Sequence, residues 1–374
     1  MGRILVAMSG GVDSSVAAAL LVEEGHEVVG ATLRTFCYTG DPGHAKSCCG
    51  LEGVADAREV ASTLGIPHTV YDVEEEFTRD VIDDFVEEYS AGRTPNPCVR
   101  CNSFTKFRDL LKRARELGAD GVATGHYVRM DSTAPDGPAL LRGTDSGKDQ
   151  AYFLWGIPRD ALPFLLFPLG SLTKAQVRQM AQERGLVTAD KPESQEICFV
   201  PTGDYRDLLR DRLEASHPAF QPGPLVTVRG EVVGSHGGFS GFTLGQRKGL
   251  PGGFPKAMFV LEIRPETREV VVGTREDLLS CKVELDNLNW LAPPPEPGAE
   301  VTVQLRHRAR ATHARVEEGG ERLRLALREP QPAVTPGQSG VLFRNDRMLG
   351  GGSHPQGQGR VISTSGRPWR PDPP

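Results

Sequence analysis

Two textures divide the hydrophobic pattern of this chain. Up to about residue 215, short apolar runs alternate with longer segments of helical period. Residues 3–8 (R-I-L-V-A-M), 27–33, 67–73 and 121–127 read as buried strands, and residues 16–21 (V-A-A-A-L-L), 51–64, 75–89 and 104–117 as helices. Alternation of this kind predicts right-handed βαβ units and a parallel sheet. Residues 131–138 read as a polar loop joining two short strands, Thr173 with Gln176 as a capping box, and Gly185 as that helix's end. Residues 190–201 (D-K-P-E-S-Q-E-I-C-F-V-P) are bracketed by proline and read as a loop.

Beyond residue 215 the runs shorten and alternate at period two. Residues 225–228, 259–263 and 270–272 predict a small β unit. Residues 300–308, 312–316, 323–327 and 340–343 predict a small antiparallel barrel, with Pro293–Pro297 as punctuation inside it. The expected fold class is α/β: a parallel-sheet domain over 1–212, a small connecting domain over 213–280, a C-terminal antiparallel β-barrel over 281–364, and a disordered Pro/Arg-rich tail over 365–374. Ligands of such parallel sheets sit beyond the carboxyl ends of the strands, where residues 9–14, the 33–50 loop and the Thr124-Gly125-His126 turn all fall.

The junction after the first strand carries the first candidate chemistry. Ser9, Gly10 and Gly11 let backbone approach a ligand, and the helix that follows aims its amides and positive dipole end at the same point. Asp13 adds a carboxylate suited to Mg²⁺ on a polyphosphate. No G-K-[ST] closes the loop, so it is not a Walker A motif, and it is not the dinucleotide G-x-G-x-x-G. The string S-G-G-V-D-S resembles the PP-loop of enzymes that split ATP into AMP and pyrophosphate.

Composition narrows the class. The chain has 374 residues, ordinary hydrophobicity and no run long enough for a membrane span. Its start does not read as a secretory signal, and seven cysteines suit a reducing, cytoplasmic setting. The net charge of −6 argues against nucleic acid, but its distribution does not. An acidic stretch, 72–88, precedes a basic set (Arg100, Lys106, Arg108, Lys112, Arg113, Arg115), and a second basic set runs Arg306, Arg308, Arg310, Arg315, Arg322, Arg324, Arg328. Each set is either a solvated face or a phosphate-backbone footprint. Gly237-Gly238-Phe239 and Gly245-Gln246-Arg247-Lys248 leave the same two readings open.

The segment G-R-T-P-N-P-C-V-R-C-N (92–102) reads as an extended, turning loop with Cys98 and Cys101 in C-x-x-C spacing. Arg93 and Arg100 beside them would favour thiolate over thiol. Three readings stand: a structural zinc site completed by Cys48 and Cys49, inert cysteines, or reactive sulfur chemistry shared with Cys198. Cys37 and Cys281 carry no assigned role.

Six strings in order, S-G-G-V-D-S-S, G-R-T-P-N-P-x-x-x-C-N, A-T-G-H-Y, K-D-Q-x-Y-F-L, E-S-Q-E-I-C-F-V and T-P-G-Q-S, resemble the tRNA-specific 2-thiouridylases from residue 3 to about 350. The resemblance implies adenylation of the C2 oxygen of a wobble uridine, followed by displacement of AMP by protein-borne sulfur. It implies that Ala7, Met8, Ser9, Gly10, Gly11, Val12, Asp13, Ser14, Leu33 and Gly125 hold ATP, with Mg²⁺. By the same resemblance Cys198 carries a persulfide, and Cys101 frees the sulfur by forming a disulfide with Cys198. Asn96, Pro97 and Cys98 face the target base, while His126, Lys148, Asp149, Gln150, Arg306, His307 and Gln338 meet tRNA. His126 or Tyr127 would stack on or donate to a flipped base, with a satisfied turn histidine as the other reading. Partners would be a tRNA with a wobble uridine and a sulfur-donor protein, either a cysteine desulfurase or a relay; the enzyme would be a monomer.

One position departs from the pattern. Many family members have Asp where this chain has Cys98, which puts the general acid/base assignment in doubt. Cys98, Cys101 and Cys198 then resemble a three-cysteine seat for a [4Fe–4S] cluster with an open iron, a second route beside the persulfide. The rival function is a PP-loop ligase of the NAD or GMP synthetase type, which would not need these cysteines. A third reading is a binding or carrier protein with a decayed PP-loop, against which the intact Ser9, Gly10, Gly11, Asp13 and Ser14 stand.

Overall fold

The computed structural model describes residues 1–35, 51–193, 197–200, 203–332 and 334–355. The 36–50 part of the first long loop (with Cys37, Cys48 and Cys49), Ser194–Glu196 of the second, and the tail therefore lie outside the described residues.

Five parallel strands form the first sheet, in the order His68–Asp72, Glu27–Arg34, Arg3–Ala7, Gly121–Ala123 and Leu165–Leu166. The first strand lies between the second and the fourth, so the connection reverses direction there. This reversal opens a crevice beyond the strand ends. Alternate residues feed two cores. Leu5 and Val122 join one cluster, and Ile4, Val6 and Ala123 join another on the opposite face. Helix Val12–Glu23 is apolar nearly all round, as a helix sunk in a core must be, and packs in the second cluster. The helix expected over 51–64 forms as Leu51–Leu64. The last strand has only two residues, too short for any periodicity to announce it.

Two helices differ from expectation. Glu74–Phe77, Thr78–Ile82 and Asp83–Ser90 run on as one helix with a π-type middle. Pro97–Arg100, Cys101–Lys106 and Phe107–Glu116 do the same. The Cys98–Cys101 segment is therefore not an extended loop: Asn96 caps a helix through its Oδ1, which accepts from the Val99 amide at 3.3 Å, and Pro97 occupies the first turn. A proline there starts a helix instead of breaking one, because its missing N–H has no intrahelical partner to lose.

The central unit is a four-stranded sheet in the order Phe259–Arg264, Glu269–Gly273, Gly223–Thr227, Val232–His236, with its own small core around Leu225, Phe239 and Val272. Beyond it, Leu279–Trp290, Leu323–Pro332, Thr312–Glu318, Glu300–Gln304, Ser339–Arg344 and Arg347–Ser353 pair in that order, and the last pairs back on the first, closing a six-stranded antiparallel barrel. The pattern missed its first and last strands, the latter because Gly350, Gly351 and Gly352 dilute its apolar signal. The hairpin Val128–Asp131/Ala139–Arg142 belongs to the first domain in sequence yet extends the barrel's sheet through Leu141 and Arg347. Among the described residues no helix is long and apolar enough to cross a membrane.

Candidate functional site

At the crevice the chain builds a cradle. Gly10 takes φ +72°, and a Cβ there would lie 2.0 Å from the Gly53 carbonyl oxygen, so only glycine lets this turn rest on the next helix. The Ser9 amide donates to Ser14 Oγ at 3.1 Å, and the hydroxyls of Ser14 and Ser15 each donate to the Gly11 carbonyl at 3.0 Å. No side chain caps Gly11 at the start of helix Val12–Glu23. Gly125, after the fourth strand, is needed for close approach: a Cβ would sit 2.7 Å from the Asp13 carbonyl carbon.

Ser9, Gly10, Gly11, Val12 and Asp13 line one wall of a cleft of about 1410 Å³. Cys98, Lys148, Asp149, Gln150, His307 and Ile197 line it too, so cradle, cysteine helix and barrel share one space. Cys98 is exposed, Cys101 buried and Cys198 half-buried. Cys101 lies in an aromatic cluster with Phe77, Phe85 and Phe199, and Ile197 and Cys198 pack against that cluster. The structure thus brings Cys101 and Cys198 to one neighbourhood, next to the cleft that Cys98 faces.

Other expected residues serve as supports. Gln338 Nε2 donates to the Thr94 and Pro95 carbonyls at 2.9 and 3.0 Å, and the Thr94 amide donates to Pro336 at 3.0 Å, so the barrel's T-P-G-Q-S turn holds the start of the cysteine helix. Asp149 accepts from Arg142 at 2.7 Å and from the Gly143 and Ala151 amides at 3.0 and 3.1 Å. Gln150 Oε1 accepts from the Tyr127 amide at 2.9 Å. His126 Nδ1 lies 2.7 Å from Thr124 Oγ1, with the ring between Phe107 and Phe167. Some of its edge meets solvent, yet burial, helped by Lys106, pulls its pKa down to about 3, leaving a neutral ring. The His307 ring lies against Phe153 at a 40° tilt with centroids 4.2 Å apart, and the Arg306 guanidinium donates to the Pro332 carbonyl at 3.3 Å. Ala7, Met8, Ser14, Leu33, Gly125, Asn96, Pro97, His126, Arg306 and Gln338 stand outside the lining described for the cleft.

Two electrostatic expectations change. Arg93 is paired with Glu88, and Arg100 with Asp84 at 2.9 Å, so neither arginine is an uncompensated charge beside the cysteines. Arg108 is likewise paired with Asp80 at 2.8 Å, so the acidic stretch compensates Arg100 and Arg108 of the first basic set. Of the second set, Arg308 and Arg310 reach the cleft.

The sequence reading also missed an ion network. Lys174 Nζ donates to both Asp13 oxygens, at 2.7 and 2.8 Å, and lies 3.0 Å from Glu193, which also pairs with Lys148 at 2.6 Å. Tyr127 Oη donates to Asp13 at 2.7 Å, and burial and that carboxylate raise its pKa. Lys148 and then Lys174 hold the Glu193 carboxyl down to about 2. The capping box was the available signal, since it sets Lys174 on the first turn of its helix, where a cation is electrostatically out of place.

Among the described residues no three Cys, His, Asp or Glu groups converge to hold a single metal ion. Asp13 fits Mg²⁺ as one carboxylate beside phosphate oxygens, after exchange with Lys174.

A parallel sheet with a glycine cradle at its reversal point, closed over by a barrel, defines a nucleotide-using α/β enzyme of the HUP class. Family profiles match in three consecutive segments: the tRNA methyl transferase HUP domain over residues 2–202, the tRNA methyl transferase PRC-barrel domain over 210–274, and the aminomethyltransferase beta-barrel domain over 280–353. A tRNA-specific 2-thiouridylase MnmA of Thermus thermophilus is 51% identical over 362 residues, 94% of each chain. One from Carboxydothermus hydrogenoformans is 48% identical over 361 residues, 94% of this chain and 97% of its own. A solved 4-thiouridine synthetase–RNA complex with bound ATP aligns over 57% of this chain and 51% of its own, at 16% identity and a TM-score of 0.35. The chain belongs to the tRNA-specific 2-thiouridylase family.

Proposed function

We propose that the cleft is where this chain carries out ATP-dependent thiolation of uridine C2 in tRNA, by the persulfide route. The observation that carries the reading is the shared cleft: the glycine cradle and Cys98 line one space, with Cys101 and Cys198 packed in one cluster behind it. Ala7–Ser14, Leu33 and Gly125 form the ATP site, with Ser9–Asp13 facing the phosphates. A uridine C2 oxygen is a poor leaving group, and adenylation converts it to AMP, with pyrophosphate departing first. Charge on that pyrophosphate is met by cradle amides and the helix dipole, and Asp13 would hold Mg²⁺, which would supply further neutralisation.

A persulfide on Cys198 attacks C2 and expels AMP, leaving C2 linked to Cys198 through two sulfurs. The Cys101 thiolate then attacks Cys198 Sγ, the S–S bond breaks, and its electron pair leaves with the sulfur on C2. The product is 2-thiouridine and a Cys101–Cys198 disulfide, which a thiol reductant resets. Cys98, at the cleft wall, takes the place of the family's usual acid beside the target base. No step is assigned to iron, since the disulfide route needs only Cys101 and Cys198, which pack in one cluster. Sulfur comes from a cysteine desulfurase or relay protein, and the enzyme works as a monomer in the cytoplasm. Residues 1–212, 213–280 and 281–364 act as catalytic, connecting and tRNA-contacting domains.

The test is mass spectrometry of tRNA nucleosides after incubation with ATP, Mg²⁺ and a persulfide donor. Wild type should make 2-thiouridine, and Cys101→Ser and Cys198→Ser should each abolish it. Full activity in either variant would overturn the sulfur assignment. A small-molecule ligase would be nearly indifferent to both changes.

A further inference from the structure

The glycine cradle lacks the lysine that phosphate loops usually carry, yet an ammonium arrives there from 161 positions further along the chain. Lys174 is only 12% exposed at its side chain, on the first turn of helix Lys174–Glu183. That is the end of a helix where a cation is repelled. A lysine serving only a structural ion pair gains nothing from such a place, whereas a lysine meant for an anion gains from the helix amides and dipole aimed the same way. Its anchorage is rigid: Thr173 and Gln176 form a reciprocal capping box, and the Lys174 amide donates to Asp145 at 3.0 Å.

The partners of this ammonium are equally telling. Glu193 sits between two lysines, Lys148 at 2.6 Å and Lys174 at 3.0 Å, inside the cleft that the cradle opens into. Lys174 is shared between Glu193 and Asp13, so two lysines, beside amides from a helix start, face carboxylates whose place a more highly charged anion can take. We propose that Lys174 is the missing phosphate lysine, binding the β,γ-phosphate portion of ATP, and that Glu193 occupies its place as an internal anion when no nucleotide is bound. This deepens the function proposed above and rests on it. When ATP enters, Lys174 exchanges a carboxylate for phosphate oxygens, which leaves Asp13 able to meet Mg²⁺.

The test compares ATP with AMP, because AMP lacks the portion that Lys174 is assigned to hold. Dissociation constants for both are measured by calorimetry on the full chain, for wild type, Lys174→Met, Lys174→Arg and Glu193→Gln. Lys174→Met should weaken ATP about tenfold or more and leave AMP within about twofold, since one charge-assisted contact is lost. Lys174→Arg should recover part of that loss. Glu193→Gln should tighten ATP about threefold by removing the competing anion, again with AMP unchanged.

Equal weakening of ATP and AMP in Lys174→Met would mean a merely structural lysine and overturn the proposal. If that variant fails to fold, Glu193→Gln decides alone: an unchanged ATP-to-AMP ratio overturns it. Those failures leave 2-thiouridine formation by the wild type untouched. A wild type that binds no ATP sinks the function itself, and this inference with it.

Discussion

Gln338 shows how a residue's role depends on what its amide meets. Family resemblance implies a tRNA contact, whereas here its Nε2 spans two carbonyls of the loop that starts the cysteine helix. Each such bond contributes about 1 kcal/mol net. Gln338→Ala should therefore lower kcat and the melting temperature together and leave the tRNA dissociation constant nearly unchanged. A raised tRNA Kd with normal kcat would favour the direct contact. Glu193 sets a pH dependence at the same scale. Its folded pKa is held at about 2, below the ordinary 4.5, so its contribution to stability is complete above pH 4.5 and is lost as pH falls toward 2. Urea unfolding of Glu193→Gln should show a shallower acid loss across that window. Solvent screening of this partly exposed carboxylate keeps the difference small.

Among the elements, those with a complete local signal were legible in advance. The glycine turn before Val12–Glu23, helix Leu51–Leu64 and the Thr173–Gln176 capping box were all readable because each is fixed by neighbours in sequence. What stayed hidden depends on distant partners. Leu165–Leu166 is a strand only because it pairs with Val122 and Ala123. Arg347–Ser353 is one because the barrel closes on it. The cysteine segment looked like a loop because its two prolines outweighed the cap that Asn96 supplies. The ion network around Lys174 joins residues from positions 13, 148, 174 and 193, a grouping no local pattern contains. Element-level tests follow. Thr173→Ala should cost about 1 kcal/mol in urea unfolding through loss of the cap. Gly10→Ala, forced against Gly53, should cost roughly 3 kcal/mol or more and abolish nucleotide binding measured by calorimetry.

At the scale of the molecule, sequence order and folding unit part company. One core joins Leu5, Phe107, Val122 and Trp155 of the parallel-sheet region to Leu291, Val341, Phe343 and Met348 of the barrel. The hairpin at 128–142 reinforces this: Arg347 pairs with Asp136 at 2.6 Å, and Arg129 with Asp346 at 2.7 Å. The central sheet instead keeps a core of its own. Differential scanning calorimetry should therefore resolve two transitions, a larger one for sheet and barrel melting together and a smaller one for residues 210–274. A fragment ending at residue 212 should bind the dye ANS, because the missing barrel leaves its half of the joint core bare.

The turn at Pro336–Gln338, which clasps the backbone ahead of Cys98, gives this union a practical outcome. Damage to this one turn would register first in the seating of the Cys98 segment that it clasps. A genetic screen for lesions that disturb the Cys98 segment would thus collect hits more than 200 positions downstream of it.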